Sequence, residues 1–432
     1  MEKKAISYIA AAMLASSAFG MEFQPLGFES ISMGGAGVAS AKGSMAGYYN
    51  PALLAKSPNV VEISLGGGVG IRENNLADNL DTLNKAEFID TLDRIANNAP
   101  VSGSNSDTDK KNIQLSLDTL KKIGDENGLA LMPTAFFSAQ IKNYALGVFG
   151  FGEGTATAVI DRNRLDLIVE DNGNYYKYDP ITDTYSTTNY NDYVNNSIEY
   201  AVNNGTTYLK LTGLSVVEVP ISYAQSYNIN KIGELSIGLS LKYMQGITYN
   251  GSVSIDTKSG DVNDNLDNAD KTSSSFGVDL GMLYIPEKLS DLTIGVVGKN
   301  LNSPEFDTID PNVSYTVDPQ VRMGIAYTGI SSLDIALDVD LTENETFIKG
   351  FDSRYIGGGF NWHPTSWFSL RAGLMDNLSD STEGVIYTAG LGFGLKWFSF
   401  DISAQLSSKN GYYDGEEIPK YAKVNFALVS RF

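Results

Sequence analysis

The sequence predicts an all-β protein: a transmembrane antiparallel up-and-down β-barrel of about 14 strands, with an N-terminal hatch (plug) and a helical extracellular loop. Three observations lead there. The chain ends on an alternating strand, with Val424, Phe426, Leu428, Ser430 and Phe432 on one face and Lys423, Asn425, Ala427, Val429 and Arg431 on the other. A strand that stops on an unshielded phenylalanine suits a wall whose outer face meets lipid. The N-terminus reads as an export signal, and short and long connections alternate along the chain.

Residues 1–20 are the predicted signal peptide. Lys3 and Lys4 precede the apolar run from Ala5 to Ala18, and Ala18-Phe19-Gly20 offers small residues for cleavage before Met21. The run is too short and too rich in alanine to span a bilayer as a helix. Residues 21–57 do not alternate. They carry Met33-Gly34-Gly35-Ala36-Gly37-Val38-Ala39 and Tyr48-Tyr49-Asn50-Pro51-Ala52-Leu53-Leu54. Small residues allow close backbone packing and Asn50-Pro51 starts a turn, so this segment is expected to fold as a hatch inside the lumen.

Residues 58–432 hold the expected barrel. Leu333-Asp334-Ile335-Ala336-Leu337-Asp338-Val339-Asp340-Leu341 alternates large aliphatics with Asp or Ala, and Phe398 to Ser403 and Leu235 to Tyr243 do likewise. Such segments fall near 59–71, 129–142, 144–161, 206–229, 233–249, 273–285, 291–300, 320–328, 333–342, 353–363, 367–375, 385–395, 398–407 and 421–432. Most are long enough to cross a hydrocarbon layer when tilted, which takes about 9–11 residues. An even strand count returns both ends to the periplasmic side. Trp362, Trp367 and Trp397 flank short turns, as do Tyr144, Tyr227, Tyr284 and Tyr327, which is the pattern of a periplasmic aromatic girdle.

The long loops differ in kind. Within 72–128, Leu76, Leu80, Leu83, Phe88, Leu92 and Ile95 recur at helical spacing, then Ile113, Leu117, Leu120 and Ile123. Two amphipathic helices joined near Pro100 are expected above the barrel mouth. Loop 162–205 is rich in Tyr, Asp and Asn and reads as a solvated outer surface. Asp261, Asp264, Asp267 and Asp270 do not match a calcium loop; diffuse divalent binding between acidic loops and lipopolysaccharide phosphates suits them better.

Composition removes several functions. The formal charge is −20, and loss of Glu2, Lys3 and Lys4 with the signal makes it −21, so nucleic acid is not an expected partner. There is no cysteine and one histidine, His363. Thiolate chemistry, multi-histidine metal sites and a supported catalytic triad are absent, so neither enzyme activity, a metal nor a cofactor is expected. By alternation Asp279, Arg322, Asp334, Asp338, Asp340, Arg371, Asp401 and Lys423 point into the lumen, where acids and bases on adjacent strands pair and anchor a plug or bias what passes. His363 falls on the same parity near the periplasmic rim.

Gly34-Gly35-Ala36-Gly37-Val38-Ala39 followed by Asn50-Pro51-Ala52 resembles the hatch of the FadL-like outer-membrane transporters. Those are fourteen-stranded barrels that take up long-chain fatty acids or aromatic hydrocarbons. The resemblance implies uptake of a hydrophobic or amphipathic small molecule through a plugged lumen, with Gly34, Gly35, Gly37, Asn50, Pro51 and Ala52 as the hatch motif. The helical acidic insert is similar to that of the TraF-like group, which shares the opening motif and carries a conjugal-transfer label. That likeness implies the alternative: a structural or assembly role in conjugation or secretion. Either reading places the chain in a Gram-negative outer membrane, among lipid and lipopolysaccharide. Phe432 would then be the signal read by the barrel-assembly machinery.

Overall fold

The computed structural model describes residues 21–56, 61–255, 269–394, 398–413 and 415–432. Fourteen antiparallel strands close into one barrel. In chain order they are β1 (Val61–Asn74), β2 (Gly128–Ile141), β3 (Tyr144–Val159), β4 (Tyr208–Ile229), β5 (Gly233–Val253), β6 (Asp270–Pro286) and β7 (Leu292–Lys299). The second half is β8 (Gln320–Ile330), β9 (Leu333–Asp340), β10 (Tyr355–Thr365), β11 (Phe368–Asn377), β12 (Ile386–Gly394), β13 (Phe398–Ser407) and β14 (Tyr421–Arg431). Each strand pairs with its sequence neighbour, and β1 closes the ring on β14 in the register Leu65 opposite Leu428.

Alternation explains the wall. On β14, Val424, Phe426 and Leu428 are exposed while Lys423, Asn425, Ala427 and Val429 are buried. On β5, Ile237, Leu239, Leu241 and Tyr243 face out and Ser236, Ser240, Lys242 and Met244 face in. An apolar exterior around a polar interior is the inverse of a soluble barrel and defines a membrane wall. No helix among the described residues is long and apolar enough to cross a membrane, and strands do the crossing here. Phe432 is 73% exposed, and its N–H donates to the Val61 carbonyl at 3.0 Å. Trp362 and Trp367 are exposed at the turn end, the same end as Tyr144, Tyr227 and Tyr327; Trp397 lies outside the described residues.

Residues 21–56 fill the lumen with short pieces: α1 (Glu29–Ser32), a 3₁₀ turn (Gly43–Met45), α2 (Ala46–Tyr49) and a 3₁₀ turn (Pro51–Lys56). Nearly all of these residues are buried.

The loop end departs from expectation in two ways. The insert after β1 holds three helices rather than two: α3 (Ala77–Lys85), α4 (Phe88–Asn98) and α5 (Asp107–Lys122). The apolar spacing steps by four and three residues from Leu76 to Leu83, lengthens to five between Leu83 and Phe88, and resumes to Ile95; within that long step Glu87 takes φ 47° and breaks the helix. A step of five residues departs from helical spacing and marks the corner. The tyrosine-rich loop is not a mere solvated surface. It forms a three-stranded sheet (168–171, 174–179, 184–188) and helices α6 (Tyr190–Asn196) and α7 (Ile198–Asn203). Tyr178 and Tyr193 are buried, and Leu83, Phe88, Ile95, Ile113 and Leu120 pack with Val169, Ile198 and Ala201 into one apolar core. Asp261, Asp264 and Asp267 lie outside the described residues; Asp270 opens β6.

Candidate functional site: the plugged lumen

The plug is tied to the wall at three levels. Nearest the loops, the Arg72 guanidinium on β1 donates to Glu22 of the plug at 3.1 Å and to Glu383 at 2.7 Å. It also donates to the Tyr355 hydroxyl at 3.0 Å, and its face covers the Phe351 ring at 4.4 Å. Burial pushes the Glu383 carboxyl above its ordinary range, against the pull of Arg72. This triad sits under Phe351 and Tyr421, so its charges are shielded from water and strengthened by it.

In the middle, Asp338 on β9 accepts from Gly37 N–H at 2.7 Å and Val38 N–H at 2.9 Å. Two backbone donors on one carboxylate form an anion seat on the plug itself. Beside it Arg322 pairs with Asp340 at 2.5 Å and stacks over the Phe23 ring at 4.1 Å. On β5, Lys242 bridges Glu218 at 3.1 Å and Asp279 at 2.9 Å. Lys299 donates to the Tyr48 carbonyl at 2.9 Å. Asn50 is fully buried; its amide donates to the Val38 carbonyl at 3.0 Å and the Met282 carbonyl at 3.3 Å, and its Oδ1 accepts from Ala52 N–H.

At the turn end Arg371 pairs with Asp401 at 2.6 Å, with Glu29 of the plug 3.8 Å away. Lys42 pairs with Asp334 at 2.6 Å, and His363 Nε2 lies 3.3 Å from the same carboxylate. A cavity of about 470 Å³ opens here, bordered by Phe28, Glu29, Lys42, His363, Trp367 and Arg371.

The structure therefore places Asp279, Arg322, Asp338, Asp340, Arg371, Asp401 and Lys423 in the lumen, and Asp334 half-buried at its rim. Gly34 has φ 69°, and its N–H donates to Thr388 Oγ1 at 2.9 Å. Gly35 also has a positive φ, Gly37 has no room for a Cβ beside Tyr49, and Pro51 and Ala52 pack against Gly238.

Sequence reasoning missed the wall's receiving side. A Cβ on Gly357 would collide with the Gly34 carbonyl, and one on Gly281 with Asn50 Oδ1. The signal was present as Gly357-Gly358-Gly359 inside a strand, where glycine marks a close backbone approach. Glu22, Arg72 and Glu383 were also missed, because two of them lie in segments that do not alternate.

The lumen has two characters. Phe136, Phe149 and Phe151 on β2–β3, with Leu214 and Val216 on β4, form an apolar side that packs on plug and loop residues. The Tyr48 ring lies 4.9 Å from Phe149. Charge runs along the rest of the wall and reaches this side too: Glu153 and Glu218 lie on β3 and β4, Lys242 and Asp279 on β5 and β6, and Arg322, Asp338, Asp340, Arg371 and Asp401 on β8–β13. Among the described residues no cluster of His, Cys, Asp and Glu could hold a metal ion.

Fold and site together define a plugged transmembrane β-barrel. The family described as "F plasmid transfer operon, TraF, protein" matches residues 47–340, more than half of the chain, and the chain belongs to it. The match takes in Asn50-Pro51-Ala52 and the helical insert, and begins after Gly34–Gly37. No protein with a curated description matches. Among solved structures, the Pseudomonas putida toluene transporter TodX is similar at TM-score 0.49 and 11% identity, over 96% of this chain and 99% of that one. The Ralstonia pickettii toluene transporter TbuX is similar at 0.48 and 14%, over 96% and 98%. A Pseudomonas aeruginosa FadL homologue is similar at 0.47 and 10%, over 96% and 99%.

Proposed function

We propose that this protein is an outer-membrane channel that takes up a hydrophobic or amphipathic small molecule through its plugged lumen. The observation that carries the reading is the mixed interior: Phe136, Phe149, Leu214 and Val216 on β2–β4 line it with rings and aliphatics, while charge pairs run from Glu218 and Lys242 round to Arg371 and Asp401. A solute with an apolar body and a polar end finds a partner for each along such a passage. The plug is tied largely by directional bonds to the wall, which can open one at a time. Residues 1–20 act as a cleaved signal, and the membrane's lipid and lipopolysaccharide surround the wall.

Uptake of a fluorescent fatty acid into liposomes bearing the protein tests this. Saturable uptake is expected, and Phe149→Ala should lower it several-fold while Ile181→Ala, 86% exposed in the cap, leaves it unchanged. Liposomes no more permeable than protein-free ones would overturn the channel reading.

The family's description favours a second reading, a structural or assembly part of a plasmid-transfer apparatus. A deletion strain that loses conjugation and keeps normal uptake of apolar solutes would select it. In either case we propose that Phe432 is an aromatic that the barrel-assembly machinery reads. Deleting it should lower the outer-membrane level of the protein, and an unchanged level would remove that role.

A further inference from the structure

Glu153 on β3 is 1% exposed and faces the lumen near its loop end. Neither of its carboxylate oxygens has a hydrogen-bond partner, although the Phe347 backbone amide lies close by. Its charged neighbours are Glu22, Arg72 and Glu383. Arg72 is already engaged by Glu22 and Glu383. Lys423 is the other cation near Glu22, and it donates to Gln24 Oε1 and the Pro25 carbonyl instead. This buried group therefore holds three acids, Glu22, Glu153 and Glu383, against two bases, Arg72 and Lys423. An unpaired carboxylate taken out of water is costly, and a further cation beside it offsets that cost.

Met21 is beside it. The Met21 side chain is 1% exposed and packs with Leu214 and Phe347. Leu214 is the residue opposite Glu153 in the ladder, and Phe347 supplies the amide closest to its carboxylate. Gln320 Nε2 donates to the Met21 carbonyl and fixes the backbone there. Glu22, the next residue, is already bound by Arg72. The signal motif Ala18-Phe19-Gly20 places the processed end at this residue.

We propose that the α-ammonium group released at Met21 by signal cleavage is the missing counter-ion of Glu153. Before cleavage the same nitrogen is an uncharged amide, so export processing itself completes the pair and pins the free end of the plug inside the lumen. The plug is then held at both ends: by this pair near the loops and by its covalent link to β1 at the turn end. The inference rests on cleavage before Met21 and does not depend on what passes through the channel.

The test uses full-length protein purified from outer membranes. Intact mass reads the cleavage, and α-amine acylation at neutral pH reads the pair. A mass beginning at Met21 is expected, with the α-amine labelled roughly ten- to a hundredfold more slowly in the folded barrel than after heat unfolding, the protection expected of one charge-assisted bond. Glu153→Gln should remove that protection while the folded band on an unheated gel persists. An alanine inserted between Gly20 and Met21 shifts the amine and should do the same. A retained residue 1–20 segment overturns the proposal through its premise. A Met21 start whose α-amine labels equally fast folded and unfolded, or equally slowly in wild type and Glu153→Gln, overturns the pair itself.

Discussion

The plug and the cap are both insertions on the same barrel, and they are held by different means: the plug adds a set of directional bonds to its apolar packing on the wall, and the cap rests mainly on apolar packing. The plug meets its surroundings through directional bonds: Gly34, Gly37 and Val38 give backbone N–H groups to wall side chains, and Asn50 gives its amide to wall and plug carbonyls. The cap over β3–β5 is an ordinary apolar core, with Ile113, Leu120, Phe88 and Ile198 fully buried. Its helices start conventionally. Ser106 accepts from Asp109 N–H at 3.0 Å to begin α5, and Glu73 on β1 accepts from Leu76 N–H at 2.7 Å just ahead of α3. The difference teaches where motion is possible. An apolar core resists by area and fails as a unit, whereas polar anchors hold one geometry and can be exchanged singly for water or a ligand.

The largest expected effect is on the plug. Asp338→Ala leaves two buried N–H donors, on Gly37 and Val38, without an acceptor. That should cost about 3–5 kcal/mol of plug seating, the range for breaking a buried charged contact. Protease cleavage within 34–38 from the turn end, on a barrel that still runs folded, measures it. Unchanged protection would mean that apolar contacts of Phe23, Leu26 and Tyr48 hold the plug, and the contrast with the cap would fail.

Ile113→Ala should act on the cap alone. Ile113 is fully buried in the cap core, and truncation leaves a cavity worth roughly 2–4 kcal/mol. Hydrogen exchange should speed up in α4, α5 and α7 and stay unchanged in residues 33–38. Faster exchange at Gly37 and Val38 would show the two regions to be coupled.

The same division explains what the sequence made legible. Strands were readable because a lipid-facing wall keeps strict alternation: Phe398–Ser407 and Leu333–Asp340 declare their faces residue by residue. Lumen charges followed from that parity, as Asp338 and Arg371 show. The plug's bonds were not legible, since they join residues some 300 positions apart through backbone groups, and no side-chain pattern marks an N–H that seeks a carboxylate. The cap fell between. Its apolar period was visible, and the corner showed in it only as one five-residue step, from Leu83 to Phe88, where Glu87 turns the backbone left-handed. The tyrosines of 175–200 looked solvated because aromatic-polar composition says nothing about stacking. In the fold Tyr175 lies 4.9 Å from Tyr193, which lies 5.5 Å from Tyr200.

The smallest expected effect sharpens the contrast through pH. Glu199 in α7 lies in the cap, well outside the wall, and burial raises its carboxyl from 4.5 to about 7. Hydrogen bonds from the Glu170 backbone N–H, at 2.8 Å, and from Tyr193 oppose that rise, while the charges of Glu170 and Asp93 add to it. A raised folded value means that the folded cap prefers the protonated acid. The stability Glu199 contributes is therefore fully present below pH 4.5, declines as pH rises through about 7, and is flat above that. Asp183 and Asp192 do not blur this window, because their hydrogen bonds hold them below 3.8. Hydrogen exchange of α6 and α7 at pH 5 and pH 8, corrected for intrinsic rates, should show a looser cap at the higher pH. Glu199→Gln should abolish the difference, since the amide keeps the shape without the proton. A cap that tightens as pH rises would reverse the sign and remove Glu199 as its cause.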